Sequence, residues 1–214
     1  MSAQMISMMR IDKITAQPDR AGRYAVHFSD DTTMRLYKQT IQDFGLYTDM
    51  ELTEQEYSAL KESANRMSAK MRAVRIVSAS SVSKRDLENR LVQKGEDPIW
   101  AKEAVDWMEE LKLLDDEKTA QQIVAGCVVK GYGLARAKQA LYEKRIPKEY
   151  WHAVLEDYPD QSEAIGKYIR DHLPEQADPK AVKKVIDALL RRGHSYSVIR
   201  RVMRQEDVLK EEYG

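Results

Sequence analysis

The sequence predicts a mainly α-helical protein: tandem three-helix, helix-turn-helix-like repeats forming an elongated curved rod, preceded by a small N-terminal β-hairpin domain. Three observations predict it. Gly and Pro are scarce, nine and six among 214 residues, while Ala, Glu, Lys, Arg, Leu and Met abound, a bias toward helix. Period-two alternation is confined to the first fifty residues, and beyond them one helix ending recurs three times at nearly constant spacing.

In chain order, residues 10–16 read as a first strand, closed by a loop at Pro18, Asp19 and Gly22. Tyr24, Val26 and Phe28 then alternate with Ala25 and His27, and Met34 and Leu36 with Arg35 and Tyr37. The cluster Ser29-Asp30-Asp31-Thr32 supplies the turn of a β-hairpin between them. Thr53 and Glu56 have capping-box spacing, so a helix begins near Glu54, and from there the pattern is helical throughout. Further helix starts are set by Ser83 with Asp86, Asp97 with Pro98, Asp160 with Glu163, and Asp178 with Pro179. Apolar stripes place Ala101, Ala104, Val105, Met108 and Leu111 on one core face, Ala120, Ile123, Val124, Cys127 and Val128 on a second, and Val182, Val185, Ile186 and Leu189 on a third. Trp100, Trp107 and Trp151 read as inter-helix core.

The repeated ending is Leu87-x3-Leu91-x2-Lys94-Gly95, then Ala137-x3-Leu141-x2-Lys144-Arg145, then Val185-x3-Leu189-x2-Arg192-Gly193. Each copy lies between two other amphipathic segments, giving three short helices repeated three times over about 68–205. A unit of that size buries little core alone, so the copies are expected to stack. The divisions expected are a hairpin region 1–52, a linking helix with the first repeat 53–115, a second repeat 116–158, and a third repeat with the C-terminal tail 159–214.

Composition excludes several classes. Charged residues make up 33% of the chain and the longest apolar runs, such as 123–129, fall far short of the roughly 20 residues that span a bilayer, so a cytoplasmic protein without membrane contact is expected. A single cysteine, Cys127, permits neither an intrachain disulfide nor a cysteine zinc site. No phosphate loop, dinucleotide fingerprint, zincin helix or nucleophile elbow is present, so no enzyme, catalytic residue, metal or cofactor is expected. Glu149-x-x-His152 is half of a di-iron helix motif whose other half is missing, and His27, His172 and His194 are isolated.

Net charge is zero, yet charge is segregated. The middle segments of the three units, 84–94, 134–145 and 180–192, hold thirteen basic residues against four acidic ones, whereas 97–117 is strongly acidic. A neutral protein with a basic face results. These basic helices are either solvated surfaces or one interaction face repeated three times. Asp115-Asp116 reads as an N-cap for the helix that follows or as a functional acidic step. Gly131-Tyr132-Gly133 reads as a helix stop with positive-φ glycines, as a loop presenting an aromatic ring, or as both.

The chain resembles the RecX family of bacterial recombinase modulators through the order and spacing of these pieces. Ser83, Asp86 and Leu87 match its opening; Leu91, Lys94 and Gly95 its first helix end. Leu113, Leu114, Asp115, Asp116 and Ala120 match its leucine-aspartate step; Lys130, Gly131, Gly133, Arg136, Leu141, Lys144 and Ile146 its Gly-x-Gly and basic helix. The match is good over 71–158 and looser to 205. The family's arginines before the opening are replaced by Ala79 and Val82, its aromatic after the Asp pair by Thr119, and its Gly before the leucine-aspartate step by Lys112.

The resemblance implies a non-enzymatic modulator, most simply an inhibitor, of RecA-mediated recombination and the SOS response; independently of it, a monomer is the simplest state to expect. It would bind the RecA filament on single-stranded DNA, with weak direct contact to DNA, and block its extension or promote its disassembly. The expected contacts are Lys84, Arg85, Arg90 and Lys94 in the first unit, Lys130, Tyr132, Arg136, Lys138, Lys144 and Arg145 in the second, and Arg191 and Arg192 in the third. Leu87, Leu91, Gly95, Asp115, Asp116, Gly131, Gly133 and Leu141 are expected to be structural. A helix-turn-helix transcription regulator and a plain helical adaptor are the competing classes.

Overall fold

Alternation and helical periodicity fall where the sequence places them, except that Leu111, expected on a core face, sits at the C-cap of the helix Asp97 starts and is exposed, and the chain folds as two compact units. The structure, a computed structural model, describes residues 8–174 and 177–206; the expected C-terminal tail beyond Glu206 lies outside them. Unit 1 comprises Met1–Ser80 and Leu87–Leu114; unit 2 comprises Ser81–Asp86 and Asp115–Gly214.

Unit 1 opens with an antiparallel sheet in the order β3-β2-β1-β4, made of β1 (Met9–Ile14), β2 (Arg23–Phe28), β3 (Thr33–Tyr37) and the two-residue β4 (Glu51–Leu52). Val26 pairs with Met34 and Tyr24 with Leu36 across the expected hairpin. A bulge at Asp12 lets Ile11 pair with Phe28 and Lys13 with His27. Short helix α1 (Lys38–Asp43) and strand β4 were not anticipated, since neither is long enough to show a period. Ile11, Val26, Phe28, Leu36 and Leu52 form the sheet's buried face. Leu60 of α2 (Glu54–Ala79) completes this core, and Tyr57 meets Phe28 edge-on at 5.1 Å.

Helix α2 starts at the capping box: the Glu56 N–H donates to the Thr53 hydroxyl, and the Thr53 N–H to the Glu56 carboxylate at 2.8 Å. With no Gly or Pro across its 26 residues, nothing interrupts it. A separate short helix opening the first repeat is therefore not seen: that role falls to the last turns of α2. There, buried Ala69 and Ala73 allow close packing of α4 (Pro98–Glu110), itself capped by Asp97. Arg66 and Lys70 both reach Glu103 and lie over the rings of Trp100 and Trp107. Between α2 and α4 runs α3 (Lys84–Gln93), with Leu87 and Leu91 fully buried.

Unit 2 has two cores in sequence. The first joins α5 (Asp116–Val129), α6 (Leu134–Glu143) and a single 3₁₀ turn, Lys148–Tyr150, running into α7 (Trp151–Leu155), around Ala120, Val124, Leu141 and Ile146. The second joins α8 (Ser162–His172), α9 (Pro179–Arg191) and α10 (Tyr196–Gln205) around Ile165, Ile169, Val185, Leu189, Ile199, Val202 and Met203. Asp178 caps α9 as expected, but α8 is not capped by Asp160: Gln161 holds that position, and the Asp160 carboxylate instead accepts from the Ser162 hydroxyl at 2.9 Å.

The recurring helix ending is a recurring backbone motif. At Gly95, Arg145 and Gly193 the chain turns left-handed, with φ of 89°, 54° and 87°. In each copy the next N–H reaches back to the repeat's leucine carbonyl: Glu96 to Leu91, Ile146 to Leu141, His194 to Leu189. Helices α4 and α5 end in the same way at Lys112 and Gly131. Gly131 is the helix-stopping glycine expected; Gly133, at φ −79°, is not left-handed and needs another explanation.

Candidate partner-binding surface

Gly133 is the N-cap of α6, and its missing side chain is a requirement of packing. A Cβ there would stand 2.1 Å from the Gly193 carbonyl oxygen. At this close approach the Gly133 N–H donates to Arg192 O at 2.9 Å and the Ala135 N–H to Gly193 O at 3.2 Å. The N-terminal donors of α6 thus meet the C-terminal carbonyls of α9, two sets of groups a helix leaves unpaired at its ends.

One repeat earlier the same joint is built with a side chain. Buried Ser83 caps α3 by accepting the Asp86 N–H at 3.0 Å, and its hydroxyl donates to Lys144 O at the end of α6 at 2.6 Å. Asp116, 5% exposed, accepts the Lys84 N–H at 2.8 Å, while its neighbour Asp115 caps α5 through the Lys118 N–H. The acidic pair therefore divides its work: one carboxylate for its own helix, the other for α3. The middle helices of consecutive repeats meet head to tail, N-terminus of one on C-terminus of the next, and the sequence offsets of 50 and 48 residues are the spacing of these joints.

Each joint collects cations from two repeats. At the first, Lys84 and Arg85 from the start of α3 join Lys144 and Arg145 from the end of α6, with Arg145 3.5 Å from Asp86. Arg85, Arg145 and Lys148 line one groove of about 590 Å³ with the rings of Tyr142 and Trp151; Tyr142 is 68% exposed, and the Trp151 indole donates to Ile146 O. At the second, Arg136 of α6 lies against Gly193, just after the last turn and C-cap of α9 that carry Arg191 and Arg192. Lys138 and Arg191 are exposed, and Lys138 lines a cleft with Gly133, Pro159, His194 and Ser195.

Not every expected contact residue is available to a partner. Arg192 donates to Lys130 O at 2.8 Å and its guanidinium lies over Tyr132 and Tyr168 at 5.0 and 5.2 Å, so it and Tyr132 are committed to the joint. Tyr132 is held from the other side as well: its carbonyl accepts the Tyr158 hydroxyl at 2.7 Å, a phenol whose pKa burial pushes up to about 12. Arg136 pairs with Glu143 at 3.0 Å. His194, 7% exposed, donates from Nε2 to Gly131 O at 3.1 Å, and burial lowers its pKa. Burial likewise pushes the Cys127 thiol up.

Arg90 and Lys94 belong to unit 1, where they share a groove with Arg23, Arg72 and Arg75. Those three arginines, with Lys148 and Tyr142, were missed at the sequence level; the i,i+3 spacing of Arg72 and Arg75 was the available signal. His152 is exposed beside Glu156, and among the described residues no group of three metal-ligating side chains converges. Among them, too, no helix is long and apolar enough to cross a membrane.

Tandem three-helix repeats whose middle helices meet end to end define a helical repeat protein. Comparison with known proteins narrows the class. Residues 163–203 match the model of the third three-helix domain of RecX. The regulatory protein RecX of Clostridioides difficile is 24% identical over 199 residues, covering 90% of this chain and 93% of that protein. The RecX of Salmonella paratyphi A is 31% identical over 149 residues, covering 62% and 88%. The fold is shared with a crystal structure of regulatory protein RecX (TM-score 0.58, 20% identity, 92% and 99% covered) and with that of RecX from Lactobacillus salivarius (TM-score 0.57, 18% identity, 69% and 99%). The chain belongs to the RecX family.

Proposed function

We propose that this protein is a non-enzymatic modulator, acting as an inhibitor, of RecA-mediated recombination and the SOS response in the cytoplasm. It binds the RecA filament on single-stranded DNA as a monomer and blocks extension or promotes disassembly, with the repeats 53–115, 116–158 and 159–214 as its working units. Membership of the RecX family supports the partner. The observation that carries the mode of binding is the pair of head-to-tail joints in unit 2. Each brings the ends of two consecutive middle helices together on a backbone frame fixed by hydrogen bonds; Arg85 and Arg145 line one groove at the first, and Lys138 lines a cleft with Gly193 and His194 at the second. A filament is itself a periodic array of acidic protein surface and phosphate, and a periodic set of cations matches it with little ordering cost.

The test is RecA ATP hydrolysis on single-stranded DNA with this protein titrated in at substoichiometric ratios. Hydrolysis falls at low ratios if the proposal holds. Unchanged hydrolysis, together with selective binding of one duplex sequence, would instead assign the helix-turn-helix frame to transcription control, for which specific binding exceeds nonspecific by roughly 10³ or more.

A further inference from the structure

The helix ending that recurs in each repeat carries a second regularity. The residue after the repeat's buried leucine is a large apolar side chain left in solvent every time: Val92 after Leu91 is 39% exposed, Tyr142 after Leu141 is 68% and Leu190 after Leu189 is 41%. Adjacent residues on a helix point about 100° apart, so each middle helix turns one apolar position into its core and holds the next one out. Offsets of 50 and 48 residues make the three the same position of the repeat. In unit 2 that position lines a groove both times, and each groove also takes in the first residue of the following helical segment, Lys148 in the second repeat and Tyr196 in the third. The groove of the second repeat, about 590 Å³, sets Ile146 and Trp151 with Tyr142, and Arg145 and Lys148 are exposed at it. The groove of the third repeat measures about 560 Å³. Val182, Ile186 and Leu190 line it as an i, i+4, i+8 row of α9 with exposed Tyr196, and the charged residues that line it, Lys183 and Asp187, are opposite in sign.

We infer, resting on the filament reading, that these two grooves are sockets for protein: each takes a large apolar side chain from successive protomers of the filament, with Tyr142 and Leu190 as the anchoring contacts and a partner carboxylate beside Arg145 and Lys148 at the second repeat. Tyr and Trp beside Arg, ringed by contacts that exclude water, are the composition of the energetic centre of a protein interface. A nucleic-acid strand, whose binding is carried by its phosphates, finds no counter-charge surplus in the third-repeat groove, where Lys183 and Asp187 cancel over an aliphatic row. Recurrence of the groove at the period of the repeat suits a partner that itself repeats, because engagement of the second socket is then an intramolecular event.

The experiment measures binding of the full chain to RecA–single-stranded DNA filaments, and separately to the bare strand, at about 50 mM and about 200 mM salt. Tyr142→Ser and Leu190→Ser, both at exposed positions, keep the unfolding midpoint of the parent in urea. Each binds the filament at least about tenfold more weakly than wild type, the loss of an interface anchor, yet with the salt dependence of wild type, since no charge is removed. Tyr142→Phe and Leu190→Met, which conserve volume and apolar character, retain the affinity of wild type. Binding to the bare strand is the same for all five proteins. Serine variants that fold and bind the filament like wild type would overturn the sockets and leave the filament reading standing, whereas failure of wild type to bind filaments would overturn both. Loss of bare-strand binding by the serine variants in the same proportion would assign the grooves to nucleic acid and overturn the protein occupant.

Discussion

At the scale of single residues, glycines and one histidine decide how the second and third repeats join. Gly133→Ala would drive a Cβ into the Gly193 carbonyl, and both are backbone groups that hydrogen bonds hold in place. We expect a loss of about 1–3 kcal/mol. Gly126→Ala, inside α5 with nothing within 4 Å of the added atom, should stabilise by roughly 0.5–1 kcal/mol. Urea unfolding of the two variants beside the parent checks the contrast, and equal effects would refute the close-approach argument. His194 gives a pH dependence of known sign. Burial lowers its folded pKa below the ordinary value of about 6.5, so the unfolded chain binds the proton more readily. The stability it contributes is complete above about pH 6.5 and is lost as pH falls toward the folded pKa. His194→Gln, keeping a donor for Gly131 O, should flatten the decline in unfolding midpoint between about pH 7 and 5.5; an unaltered decline would assign it elsewhere. Gly-Tyr-Gly was legible in the sequence as a helix stop, but the reason for its second glycine was not, because the atom it avoids is sixty residues away.

Among the elements, helix ends were easier to read than helix partners. Thr53 with Glu56, Asp97 with Pro98 and Asp178 with Pro179 are local devices whose donors and acceptors lie within one turn, and each marks the helix start expected. Asp160 has the same spacing to Glu163 but is drawn to the Ser162 hydroxyl and faces Arg201 at 3.5 Å, tertiary surroundings no local pattern reports. The recurring Leu-x2-Lys/Arg ending proves to be a left-handed helix stop, which makes one departure from the family pattern informative. Lys112 occupies a left-handed position, φ 56°, where the family usually has Gly. Lys112→Gly should therefore stabilise the protein by about 1 kcal/mol, removing the Cβ penalty of that conformation. A thermal scan that shows no gain would mean that the α4 terminus relaxes in some other way. The fused α2 follows from an absence that the sequence did show: no Gly or Pro interrupts it.

For the whole molecule, the repeat period carries more information than any motif within it. Spacings of 50 and 48 residues, visible in the sequence as similar helix endings, correspond to joints where Ser83 and Gly133 meet the ends of the following middle helices at Lys144 and Arg192. That correspondence brings the starts of α3 and α6, which carry Lys84, Arg85, Arg136 and Lys138, onto the ends of α6 and α9, which carry Lys144, Arg145, Arg191 and Arg192. It also explains why Arg192 and Tyr132, plausible contacts by residue type, are occupied within the protein. The unit 1 groove was not legible, because its arginines come from a strand and two helices far apart in sequence. If exposed joint cations hold the recombinase filament, as proposed, binding of RecA–single-stranded DNA filaments across a salt series distinguishes wild type from Lys138→Glu with Arg191→Glu. The variant should bind at least about tenfold more weakly and with a shallower salt dependence, its unfolding midpoint unchanged. Equal binding and equal salt dependence by a fully folded variant would contradict it.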